Sequence, residues 1–315
     1  MSGSIRWPDG KDFAFTIFDD CDYQTAENVR AVYDFITEIG LRTTKTVWTV
    51  RGSEKPGEKI TGGATCDDEA YLKWALDLQA LGFEIALHNV SYHTSPRERT
   101  LRGMTRFHEW FGHDPYCLAN HTGCHEGIYW GDARLTGLHR TFYNLMQRNR
   151  YRNVFQGHVP ESELYWGDIC REKVTYIRNF VFDDINTLHS CPEMPYHDPH
   201  RPLVNYWFSA SEGPTVEPFV AMISEANQDR LAAEHGACIM YTHLACGFCD
   251  GTQLNTRFRE RLLRLSRMNG WFVPVHTLLD YLRLAQPGER QLTNHQRRRL
   301  EQRWFLHKIR TRGTT

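Results

Sequence analysis

The sequence contains no apolar run approaching the roughly 18 residues of a membrane-spanning helix, so no transmembrane segment is expected. Charge of either sign is not in excess. Thirty-seven Lys and Arg stand against 38 Asp and Glu, a net charge of −1, which leaves no global electrostatic case for nucleic acid or membrane binding. The first residues, "MSGSIRWPDGKDF", lack the apolar core of a signal peptide, and a cytoplasmic location is the expectation. No Gly-rich phosphate fingerprint follows the first strand candidate, which counts against a Rossmann domain. No internal repeat is found. Nine cysteines are scattered and odd in number, a pattern of reduced thiols rather than of a disulfide framework. Cys246 and Cys249 form one C-x-x-C in "ACGFCDG". The second pair that a structural zinc site needs is missing, so both read as incidental thiols.

What is present is ordinary globular material. The chain has 315 residues, 41% hydrophobic and 24% charged, enough to bury a large core. Short runs rich in β-branched, aromatic or aliphatic residues predict strands at 13–18, 44–50, 83–88, 115–120, 152–156, 174–182 and 237–243. Helical stretches are expected at 26–40 and 67–82, then at 95–111, 132–147, 217–235, 255–269 and 276–286. Repeated βα units imply a mainly parallel sheet with helices outside, either a barrel or an open doubly wound sheet. The Pro- and His-rich stretch 185–216 reads as a long loop over one face. The chain divides into a main domain, 1–287, and a basic tail, 288–315, whose Trp304-Phe305-Leu306 cluster marks a helix. A solvated tail helix is the plainer reading of that segment. Docking on the body, on a partner or on a second copy, or a polyanion or membrane-surface role, are the others.

In a barrel, chemistry gathers at the C-terminal ends of the strands. Asp19 and Asp20 follow the first strand, His88 ends "FEIALH" with His93 five residues on, and His243 ends "ACIMYTH". A single histidine at a strand end is most often a packed side chain. Together with a carboxylate pair these residues make a set suited to a catalytic divalent metal, with one carboxylate left as a base. A distant histidine can serve as acid for a leaving amine. The set describes metal-assisted amide or ester hydrolysis.

"TIFDDCD" (16–22) resembles the T-F-D-D-G motif of the polysaccharide deacetylase family, also called the NodB-homology domain. "EIALHNVSYHTS" resembles its second motif, "IMYTHL" its late L-x-H motif, and "GWFVPVHTLLDYL" its closing strand and helix. The resemblance spans roughly residues 10 to 285. It implies a distorted (β/α) barrel of about seven parallel strands and de-N-acetylation, or a related acyl hydrolysis, of a carbohydrate or sugar-derived amide. By motif position, Asp19 would be the general base and His243 the general acid. Asp20, His88 and His93 would hold a divalent metal, usually zinc in this family, sometimes cobalt, nickel or manganese.

This sequence departs from the family pattern in places. Cys21 replaces the glycine after the Asp pair, and the two histidines are five apart rather than four. The third motif, whose arginine positions the base, is not visible, and "ANHTGCHEGIYWG" (119–131) stands in its place. His121, Cys124 and His125 in that loop could reshape the metal site or bind substrate, though a surface loop is the plainer reading. Asp183 and Asp184 are candidates for tuning the acid. Trp130 and Trp207 are candidates for stacking against a sugar ring, against the ordinary expectation that aromatics are core. Two alternatives remain open: a cyclic-amide or ureide hydrolase of the allantoinase-like branch, and a catalytically silent barrel serving as a scaffold in polysaccharide assembly.

Overall fold

The computed structural model describes residues 5–52, 62–285 and 290–311. The division expected between 287 and 288 lies outside them. The strands are β1 (Phe13–Asp19), β2 (Thr44–Val47), β3 (Glu84–Leu87), β4 (Cys117–Ala119), β5 (Tyr176–Phe182), β6 (Tyr206–Glu212), β7 (Ala237–Thr242), a hairpin of β8 (Cys249–Asp250) and β9 (Gln253–Leu254), and β10 (Gly270–Phe272). Strands β1 to β7 pair in sequence order, every ladder parallel, and β7 returns to pair with β1. That last ladder closes the sheet and excludes the open doubly wound alternative. The barrel is distorted on one side, where β1 pairs with β10 over Phe13–Phe15 and with β2 only at Phe18 and Asp19.

The helices are α1 (Ala26–Glu38), α2 (Glu69–Ala80), α3 (Arg97–Phe111), α4 (Gly137–Met146), α5 (Gly167–Lys173), α6 (Thr187–Ser190), α7 (Val216–Met222), α8 (Glu225–Ala233), α9 (Thr256–Ser266), α10 (Val275–Ala285) and α11 (Asn294–Thr311). Local chemistry accounts for their starts. A Thr25–Asn28 capping box opens α1, and the Asp68 side chain accepts from the Ala70 and Tyr71 amides to open α2. The single helix expected over 217–235 is two, because Ser224 takes an extended conformation between them.

Two expectations fail. Residues 152–156 form no strand, and the sixth barrel strand is β6, inside the stretch read as a loop. "YWFSASE" carries a buried run, Trp207–Ser211, whose small polar residues hid it from a hydrophobicity count. The tail is not a solvated helix either. Arg297, Leu300, Glu301, Trp304, His307 and Lys308 of α11 are buried. Only the four-residue α6 lies between β5 and β6, and α11 covers the gap it leaves. Trp304 packs on Phe180 of β5 with ring centroids 5.1 Å apart, and Arg297 donates to the buried Asp198 at 2.9 Å.

Candidate active site

The pleat of β1 separates the two adjacent carboxylates, because successive side chains on a strand point to opposite faces. Phe18 points into the barrel, its ring 5.6 Å from Phe208, and Asp20 follows on that side. Asp19 points outward beneath α1. There it accepts from Tyr33 Oη (2.5 Å), Gln24 Nε2 (2.7 and 2.8 Å) and the Leu244 amide (2.9 Å). Burial raises the Asp19 carboxyl above its ordinary pKa, against the opposing pull of Lys45 and these donors. It does not line the cavity at the barrel mouth.

That cavity, about 230 Å³, is lined by Asp20, Asp22, His88, His121, Arg178 and His243, with Tyr23, Trp130 and Tyr241 among its walls. Arg178, on β5, sets its guanidinium on Asp20 as a fork, Nη1 to Oδ1 at 2.8 Å and Nη2 to Oδ2 at 2.6 Å. Burial works to raise the Asp20 carboxyl, but Arg178, with His88 and His243, holds it below its ordinary value. The arginine at this site thus comes from β5, and it grips Asp20 rather than Asp19. A charged residue inside the apolar run "YIRNFVF" was its only signal in the sequence.

Asp22, two residues beyond Asp20, is the centre of the cluster. Its Oδ2 lies 3.0 Å from His88 Nε2 and 3.6 Å from His243 Nε2, and its Oδ1 lies 3.1 Å from His121 Nε2. Two groups can hold a metal ion among the described residues: Asp22 with His88 and His121, and Asp20 with Asp22 and His243. His93 is in neither. The chain reverses at Asn89, with a left-handed φ of 52°, and the His93 ring ends edge-on to Tyr92 at 4.8 Å with both nitrogens buried and unpartnered. His121, directly after β4, brings the second imidazole instead.

The donor chemistry fits a divalent cation. His88 Nδ1 lies 3.1 Å from the Ala119 carbonyl and His243 Nδ1 lies 2.8 Å from the Pro214 carbonyl. Each contact assigns the ring proton to Nδ1 and leaves the Nε2 lone pair facing Asp22, the arrangement that metal-binding histidines adopt. Asp22 Oδ2 is buried, and the polar atoms facing it are the Nε2 atoms of His88 and His243. Burial opposes a charge on His88, yet Asp20 and Asp22 hold its imidazole pKa above the ordinary value. The field that draws a proton to Nε2 would draw a cation equally well.

The remaining candidates separate. Trp130 lines the cavity and stacks on the Arg134 guanidinium at 4.0 Å, whose other face meets Trp304 of α11 at 4.6 Å. Trp207 is fully buried and is core. His125 is exposed, its ring 6.3 Å from Phe155, and does not line the cavity. Asp183 is exposed, and Asp184 is committed to His189 (2.7 Å) and Arg230 (2.8 Å), so neither sits on His243. Asp22 and Arg178 are the residues that sequence reasoning missed. A third carboxylate at an i, i+2 spacing from Asp20 was the available signal for the first.

No protein-family model matches the chain, and no curated protein sequence matches it. Solved structures do. A putative polysaccharide deacetylase from Mycobacterium smegmatis aligns over 93% of this chain and 98% of its own, with TM-score 0.54 and 14% identity. The Puue allantoinase aligns over 90% and 94%, with TM-score 0.51 and 11% identity. This chain has their fold. At such identities the likeness establishes the architecture expected from the first motif, a closed parallel barrel wrapped by helices, and the site must be argued from its own residues.

Proposed function

We propose that the protein is a metal-dependent hydrolase that cleaves a C–N bond in a small amide, an N-acetylated sugar or a compound of similar size. One observation carries the reading: imidazole Nε2 atoms from His88 and His243 face Asp22 Oδ2, and that of His121 faces Asp22 Oδ1, so three imidazoles converge on one buried carboxylate at the C-terminal mouth of a closed barrel. Asp22, His88 and His121 would hold the cation. Zinc suits that oxygen and nitrogen set, and cobalt, nickel or manganese could replace it. Bound there, it would supply Lewis acidity toward the amide oxygen and toward water.

The protein's own groups divide the remaining work. Asp20 faces the cavity and is held ionised by Arg178, so it is the base that accepts the proton of the attacking water. Arg178 fixes both oxygens of that base and leaves it one orientation. His243 Nδ1 is anchored on the Pro214 carbonyl, so a proton carried on Nε2 points into the cavity, toward the nitrogen of the leaving amine. Trp130, Tyr23 and Tyr241 supply aromatic walls to the cavity. Asp19, committed to Tyr33, Gln24 and a backbone amide, holds the β1 end in place and takes no part in proton transfer.

A cavity of about 230 Å³ is below the usual range for drug-sized ligands. That favours a single ring over a polymer chain and keeps the cyclic amide or ureide as a second substrate class. The test is to load the protein with zinc, cobalt or manganese, measure bound metal by elemental mass spectrometry, and assay N-acetyl hexosamines beside five-membered cyclic amides. Stoichiometric metal with turnover of either class supports the reading. A protein that retains none of the three ions refutes it.

A further inference from the structure

Helix α4 carries an apolar face that is exposed among the described residues. Leu138 is 75% exposed, Phe142 53%, Leu145 72% and Met146 49%, at the i, i+4, i+7 and i+8 spacing of one helix face. The opposite face is spent. Thr136 Oγ1 donates to Glu301 at 3.0 Å, His139 lies 3.1 Å from the same carboxylate, and Tyr143 packs on Trp304 at 5.9 Å. The stripe is therefore not core that happens to be visible. On α11 beside it, Leu306 and Ile309 are exposed as well.

The segment that carries this stripe is basic. From Ala133 to Pro160 the sequence holds five arginines and no Asp or Glu. Arg148, Arg150 and Arg152 are exposed and follow directly on the C-terminal end of the stripe. The nearest carboxylate, the buried Asp132, is taken up by Arg140 at 2.8 Å and Asn144 at 3.1 Å and leaves these three arginines uncompensated. A two-fold contact with a second copy would set the same surface against itself, arginine facing arginine, with no carboxylate on the segment to relieve it.

We propose that α4 and the segment 147–153 dock the protein on an anionic phospholipid surface. Leu138, Phe142 and Leu145 would enter the acyl boundary, and Arg148, Arg150 and Arg152 would meet the phosphates. An apolar face with arginines at its rim is the arrangement of helices that lie in a membrane interface. The proposal is independent of the catalytic reading, because none of these residues lines the barrel mouth.

The experiment is co-sedimentation of the full chain with phosphatidylcholine vesicles containing 30% phosphatidylglycerol, against vesicles of phosphatidylcholine alone. Two variants accompany it, Leu138→Gln/Phe142→Gln/Leu145→Gln and Arg148→Gln/Arg150→Gln/Arg152→Gln, each checked for an unchanged circular dichroism spectrum and melting temperature. Binding to the anionic vesicles is expected, with affinity reduced at least tenfold in each variant and a weaker salt dependence in the arginine variant. No binding to anionic vesicles would overturn the proposal, as would equal binding to neutral ones. So would an apolar variant that binds like the wild type, since charge alone would then suffice. A mass of two chains by light scattering, reduced to one in the apolar variant, would assign the stripe to a second copy and overturn it too.

Discussion

Arg178 and Asp20 lie 158 positions apart and meet inside the barrel mouth as a buried bidentate pair, at 2.8 and 2.6 Å. The contact identifies which of two adjacent carboxylates is aimed at the cavity. It also gives the Asp20 oxygens a fixed direction that the next strand over cannot supply. Removing one partner from such a pair leaves an uncompensated buried charge.

Asp20→Asn should therefore lower kcat by roughly 10²- to 10⁴-fold, the usual contribution of a positioned base, while bound metal is retained. Asp19→Asn should act differently. Its new amide nitrogen meets the Leu244 N–H or the Gln24 amide, so the melting temperature falls. Kinetics with metal analysis for the first, and thermal unfolding for the second, separate a base from a structural carboxylate.

Arg178→Lys keeps a positive charge but cannot form the fork. A decrease in kcat of about 10- to 100-fold is expected, as for other groups that orient a ligand or a base, with KM little changed. Full activity in this variant would show that Asp20 needs no orientation.

Metal retention tests the ligand set. Asp22→Asn and His121→Ala should each release the cation, measured by elemental mass spectrometry after gel filtration. His93→Ala should leave the content at the wild-type level, because the His93 ring turns away toward Tyr92.

His158 makes stability depend on pH in the acid range. Its Nδ1 accepts from the Tyr129 amide at 3.2 Å, which a protonated ring nitrogen could not do. Burial, then Arg140 and Arg201, push its pKa down from 6.5 to about 4. Above pH 6.5 neither the folded nor the unfolded chain binds this proton. As pH falls from 6.5 toward 4 only the unfolded chain binds it, so stability falls by up to about 1.4 kcal/mol per pH unit. Denaturant titrations at pH 7 and pH 5 check the slope. In His158→Asn this part of the slope should vanish.

Trp304→Ala should cost about 3–5 kcal/mol, the range for a fully buried Trp, and unfolding should remain a single transition. Because Trp304 closes the stack Trp130–Arg134–Trp304, KM should rise as well. Paired denaturation and Michaelis–Menten measurements read both effects. An independent early transition for the tail would show that α11 is an appendage.

Local signals determined a good deal of this protein. Strands β1, β3 and β7 were legible because each is a short, fully buried apolar run, and Asp20, His88 and His243 were legible because strand ends place side chains at the barrel mouth. Helices α1 and α2 were legible as stretches at 26–40 and 67–82, and the structure shows Thr25 and Asp68 capping their starts. The rest depended on relationships that no local window contains. The pleat, read against neighbouring strands, sends Asp19 outward and Asp20 inward. Closure of the barrel brings Arg178 of β5 to Asp20, and it sets His121 beside Asp22 after the chain has turned His93 away at Asn89. β6 was hidden because Ser209 and Ser211 in its centre are polar, and only burial between β5 and β7 makes them strand. The basic tail reads as solvated until the thin helix layer over β5 and β6 exposes a surface that Trp304 can cover. Periodicity and caps act between neighbours in the chain, so sequence alone determined most of the elements. Which charge meets which is decided by closing the sheet, and that belonged to the tertiary structure.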